Sequence, residues 1–149
     1  MTSMLTTEFA KAQFTALVKE CFSETQGAFL DKDTSLLQTL STVSAAEASR
    51  PAVDGGTCIA GHVEHIRFYL RAIADYMDNK QTGKLDWSQS WLCRGVNEGQ
   101  WNDVRMGLQS DYDQLCGRLQ DIADLGDERQ FGGITAIIAH TAYHLGAIR

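Results

Sequence analysis

Pro51 is the single proline in 149 residues, and it leaves long stretches on either side free to run as uninterrupted helix. Those stretches carry the matching pattern. From 57 to 79, apolar residues Ile59, Val63, Ile66, Leu70, Ile73 and Met77 step by four and three, the spacing of one buried helical stripe. From 98 to 123, Trp101, Val104, Leu108, Tyr112, Leu115, Leu119 and Ile122 form a second seam. Runs of β-branched residues with two-residue alternation are scarce. The chain therefore reads as all-α.

Four long helices are predicted. The first runs from Thr6 to Ser23, with Phe9, Phe14, Leu17, Val18, Cys21 and Phe22 on its apolar side. TQGAFLDKDTS breaks the pattern, and Thr34 or Ser35 caps a short helix through SLLQTLSTV. SAAEASRPAVDGG is a connector with room for one helical turn. Thr57 is the expected cap of the second long helix, carried to Asn79, with Glu64, Arg67, Arg71, Asp75 and Asp78 opposite its stripe. After the link NKQTGKLDWSQSWLCRG the third helix spans Glu98 to Ala123, and the fourth begins near Gly133. Such helices bury their stripes against one another, so the expectation is one domain, 1–149, folded as a four-helix bundle with a short extra helix between helices 1 and 2.

Charge narrows the choice of partners. Lys plus Arg number 13 against 19 Asp plus Glu, a net charge of −6, and no basic block is present to neutralise successive phosphates. Nucleic acid and anionic membrane surfaces are not expected partners. The opening MTSMLTTEFAKAQF has no charged segment followed by an unbroken apolar run, and neither export nor a membrane span is expected. Cys21, Cys58, Cys93 and Cys116 include no C-x-x-C pair, a pattern of reduced thiols in the cytoplasm.

The histidines carry the chemistry. His140 and His144 stand four apart in the apolar run ITAIIAHTAYHLGAI, a spacing that sets Cβ atoms on one helix face about 5 to 6 Å apart. They flank the stripe of Ile134, Ile137, Ile138, Leu145 and Ile148. On the second long helix His62 and His65 border the stripe together with Cys58 and Tyr69. All four histidines of the chain thus lie on core-facing halves of helices. A lone inward histidine is ordinarily a neutral core residue. Several buried together without an ion need a partner for every ring nitrogen, or leave polar groups unpaired at roughly 1 to 3 kcal/mol each. A divalent cation removes that demand. Three neutral imidazoles suit Zn²⁺, Ni²⁺ or Fe²⁺ and leave a position open. Haem ligation lacks any attachment motif.

"TCIAGHVEHIRFYLRAI" is similar to the first ligand helix, and "IAHTAYHLGAIR" to the closing helix, of the DinB-like (DinB/YfiT) superfamily of small helical bundles with a three-histidine metal site. "NEGQWNDVRMGLQSDYDQL" resembles that family's third helix and "SLLQTLSTVSAAEASRP" its lead-in. The resemblance implies His65, His140 and His144 as metal ligands. Stripe geometry puts His62 nearer the centre of the buried face, whereas the family register of "EHI" favours His65. His62 stands as the alternative ligand, or as a residue behind the ligands or lining the pocket. Cys58 reads as a small core residue, with an extra ligand as its alternative.

The activity that the resemblance implies is that of a metal-dependent enzyme, either a hydrolase or a transferase of a low-molecular-weight thiol onto a small-molecule substrate. A bacterial, cytoplasmic setting and a homodimer accompany it. A non-catalytic dimeric binding or stress-related protein with a structural or vestigial metal is the other reading. No Asp or Glu lies one turn from His140 or His144 to serve as a base, which leaves the metal hydroxide itself, or Tyr69 or Tyr143 by hydrogen bonding. Trp87, Trp91 and Trp101 read as pins for long connectors and Arg94 as solvated. Walling a pocket and holding an anion are their alternative roles.

Overall fold

Thr6 starts the first helix because its hydroxyl accepts from the Phe9 amide, closing an N-terminal turn that would otherwise leave that donor free. In the computed structural model, which describes residues 6–81 and 83–149, every regular element is helical. The elements are α1 (Thr7–Phe22), α2 (Leu36–Ser41), α3 (Ala45–Ala48), α4 (Ile59–Met77), α5 (Glu98–Asp121) and α6 (Glu128–Ile148), with a 3₁₀ turn at Trp87–Trp91 between α4 and α5. Residues 1–5, part of the opening read as free of an export signal, lie outside the described residues, as does Thr82 of the long link. No helix among the described residues is long and apolar enough to cross a membrane.

The four long helices close a ring. α4 packs on α6 and on α5, and α1 packs on the other flanks of α6 and α5, so α1 and α4 stand on one diagonal. Val18, Cys21 and Phe22 of α1, Val63 and Ile66 of α4, Leu108 of α5 and Ile134 of α6 meet inside with no exposed surface. The α5 seam is buried as its spacing requires. The short helix expected through SLLQTLSTV is α2, and the single helical turn expected in SAAEASRPAVDGG is α3. Each begins with a serine capping box, Ser35 with Gln38 and Ser44 with Glu47. Leu36, Leu40, Ala45 and Ala48 plug this segment into the core, and Trp101 pins it by donating from its indole N–H to the Val43 carbonyl at 2.8 Å.

Several local expectations change. Phe9 is exposed, because it precedes Phe14 by five residues and falls off the Ala10, Phe14, Val18 stripe. The cap of α4 is Cys58 instead of Thr57, and no side chain satisfies the first turn. The last long helix starts at Glu128, five residues before Gly133, because Asp127 caps it by accepting from the Arg129 amide. The charged side of α4 is not wholly solvated. Arg67 bridges Glu64 and Asp111 at 2.7 and 2.9 Å, and Asp78 pairs with Arg118, so this side forms a polar seam with α5.

Candidate metal centre

The i, i+4 spacing and the α4–α6 contact together decide where the histidines meet. His65 on α4 and His140 and His144 on α6 each present a ring nitrogen, and the three nitrogens lie within 4.8 Å of one another. The Nε2 atoms of His65 and His140 face each other at 3.0 Å. His65 and His144 are buried and His140 is half-buried. Among the described residues this is the one group of three or more His, Cys, Asp or Glu side chains close enough to hold a metal ion.

Flat aromatic contacts fix the ring planes. Trp91 lies parallel to His65, with centroids 3.8 Å apart at 14°, and Tyr69 lies parallel to His140 at 3.6 Å and 7°. Hydrogen bonds fix their rotation. Nδ1 of His65 meets the Ser90 hydroxyl at 2.7 Å, and that hydroxyl donates to the Trp87 carbonyl, also at 2.7 Å. Nδ1 of His62 lies 3.1 Å from Nδ1 of His144, which leaves Nε2 as the free nitrogen of His144.

The donor set fits a divalent transition metal in two respects. First, its rings are neutral at pH 7. Burial, then His144 and His65, hold the His140 pKa down at about 3. Burial, then His65 and His62, hold His144 at about 4. Burial and then His62 lower His65, and burial lowers His62. Neutral imidazole is the form that ligates. Second, all three donors are imidazole nitrogens, with Nε2 of His65 and Nε2 of His140 3.0 Å apart and a nitrogen of His144 within the same 4.8 Å, a donor set that such an ion takes. The group can therefore hold a metal ion.

The remaining candidates fall at different distances from this centre. His62 is half-buried, touches His144 and stands outside the group of three. It also lines a cleft of about 230 Å³ with Arg50, Thr57 and Ile148. Tyr69 stacks on a ligand candidate. Tyr143 sets its ring edge-on to His144 at 5.0 Å yet is 73% exposed. Cys58 is buried, with its thiol 4.0 Å from the Cys93 carbonyl and outside the histidine group. Trp91 and Trp87 cover the α4 side of the centre, Trp87 against Phe68 and Tyr69. Trp101 belongs to the core, and Arg94 is exposed. Ser90 carries no sequence signal beyond its place between two tryptophans in WSQSW, and periodicity cannot single it out.

No family model, curated protein or solved structure matches this chain. The functional reading rests on the side chains themselves.

Proposed function

We propose that the chain is a DinB-like metal-dependent enzyme, of the thiol S-transferase or hydrolase type, with His65, His140 and His144 as ligands of one divalent ion. The observation that carries this reading is the convergence of three neutral imidazoles from two helices on one point. Zn²⁺, Ni²⁺ and Fe²⁺ are the ions that such a donor set suits. When bound, the ion supplies Lewis acidity toward a substrate oxygen or sulfur.

The protein's own contribution is to prepare and shield that point. Trp91 and Tyr69 stack on two of the rings and keep their faces from water. With the ligands uncharged, the site attracts an anionic thiolate or carboxylate through the ion alone. His62, half-buried beside His144 and on the wall of the cleft, accepts at Nδ1 the hydrogen that Nδ1 of His144 carries when Nε2 of His144 ligates, and so orients that ring. With three protein ligands a coordination position remains for substrate.

The test is a panel of small thiols with an electrophilic acceptor, and a panel of activated esters, each assayed with protein loaded with Zn²⁺, Ni²⁺ or Fe²⁺. Metal-dependent turnover that disappears in His144→Ala supports the proposal. Tight metal binding without turnover on either panel favours the second reading, a non-catalytic dimeric binding or stress-related protein. That reading draws on Phe9 of α1 and Phe131 of α6, which are 54% and 45% exposed. A dimer by light scattering, lost in Phe9→Ser with Phe131→Ser, is its expected outcome.

A further inference from the structure

We infer that Ser90 is a positioning residue of the histidine centre, and that the Trp87–Trp91 turn exists to deliver it. The inference rests on the metal reading above for its purpose, while its geometry stands independently. A serine hydroxyl has one hydrogen to give. At Ser90 that hydrogen goes to the Trp87 carbonyl, 2.7 Å away within the same turn. The Ser90 oxygen, 2.7 Å from Nδ1 of His65, can then only accept. The proton of neutral His65 consequently sits on Nδ1, and Nε2 is left as a lone pair directed at the shared point beside His140.

The position of Ser90 supports a dedicated role. It is 3% exposed, whereas Trp87, Ser88 and Gln89 around it are exposed. A buried hydroxyl is unfavourable unless both its donor and acceptor capacities are used, and here both are. The turn also carries Trp91, one residue on, whose indole lies flat against the same imidazole. Asp86 holds the turn's start by accepting from the Ser88 amide at 3.1 Å and from the Ser88 hydroxyl at 2.6 Å. One five-residue element thus controls both the tautomer and the plane of His65. Orientation of a ligand histidine through its distal nitrogen commonly sets metal affinity by about 10- to 100-fold.

The experiment combines ¹⁵N imidazole spectra of the metal-free protein with Zn²⁺ affinity from competition with a chromophoric chelator. Wild type, Ser90→Ala and Ser90→Thr are compared, the last keeping the hydroxyl. The wild type is expected to show His65 protonated on Nδ1. Ser90→Ala is expected to mix the tautomers and to weaken Zn²⁺ by about 10- to 100-fold, and Ser90→Thr to retain the wild-type tautomer. Circular dichroism confirms that each variant is folded. If Ser90→Thr does not fold, Ser90→Gly with Ser90→Ala supplies a pair that lacks the hydroxyl at two side-chain sizes, and both must mix the tautomers. A wild-type His65 protonated on Nε2, or a Ser90→Ala protein with unchanged tautomer and affinity, overturns the inference. A wild type that binds no Zn²⁺ yet loses its Nδ1–H tautomer in Ser90→Ala upholds the positioning and refutes the metal reading.

Discussion

Nδ1 of His62 and Nδ1 of His144 lie 3.1 Å apart, so one hydrogen is shared between a half-buried ring on α4 and a buried ring on α6. The contact gives His62 a part that differs from that of the three ligand candidates. Removing it leaves three nitrogens in place but frees the His144 ring to rotate. His62→Ala is therefore expected to keep one Zn²⁺ per chain while weakening it by about 10- to 100-fold. Isothermal titration separates this from His62 as a required ligand, which would abolish stoichiometric binding.

The depressed histidine pKa values set a pH dependence for the metal-free protein. Unfolded histidine titrates near 6.5, whereas folded His140 and His144 titrate at about 3 and about 4. As pH falls below 6.5 the unfolded chain takes up protons that the folded chain refuses. Stability is thus fully present above about 6.5 and declines until the folded rings protonate. Thermal melts in chelator should show Tm falling between pH 6.5 and 5, above the range in which carboxylates contribute. His140→Asn should flatten that slope. A Tm independent of pH over this window contradicts the assignment.

Glu20 is a fully buried acid whose role is to shape the loop after α1. Its carboxylate accepts from the backbone amides of Gln26, Phe29 and Leu30. Burial pushes its pKa up, but these amides together with that of Ala28 outweigh burial and bring it below the usual value. Glu20→Gln replaces an acceptor oxygen with a donor facing those amides. The variant is expected to lower Tm by on the order of 5 °C and to speed hydrogen exchange at Phe29 and Leu30. Unchanged exchange there sinks this account of the loop.

Gly61 allows the long link to rest on α4 beside the centre. A Cβ there would stand 2.8 Å from the Cys93 carbonyl and 2.8 Å from Cγ2 of Thr57. The Thr57 methyl can rotate aside, but the Cys93 carbonyl is backbone and yields only if the chain two residues from Trp91 moves. Gly61→Ala is expected to gain helix propensity yet lose stability, and to loosen the Trp91–His65 stack. Tryptophan fluorescence that becomes less sensitive to added Ni²⁺ would register the loosening. A more stable variant with wild-type quenching would contradict it.

The helices were legible in the sequence because they depend on a 3.6-residue period that repeats over many turns. The same period set the histidines on core-facing helix sides, while the set His65, His140 and His144 came from the resemblance and their meeting depends on the α4–α6 contact. Val63, Ile66 and Leu70 announce α4, and His140 and His144 ride the same period on α6. What periodicity cannot express stayed hidden. Ser90 reaches His65 across 25 residues from a single 3₁₀ turn. Glu20 looks like one more polar position on α1 until the loop that it binds folds over it. Phe9 shows the converse error, an apolar residue assigned inward by type when its angle points out. Where His62 and His65 stand relative to α6 depends on the rotation of α4 against it, which no periodicity expresses. His65 faces His140, and His62 stands one turn nearer the helix start, against His144.

The most direct measurement is the metal content of protein purified without chelator or nickel resin, then equilibrated with Zn²⁺ and dialysed. Wild type is compared with His65→Ala, His140→Ala and His144→Ala, each checked for folding by circular dichroism. One Zn²⁺ per chain in the wild type and none retained in any of the three variants is the result predicted. Zinc-free wild type, or equal zinc in wild type and folded variants, would contradict a centre built from these three imidazoles.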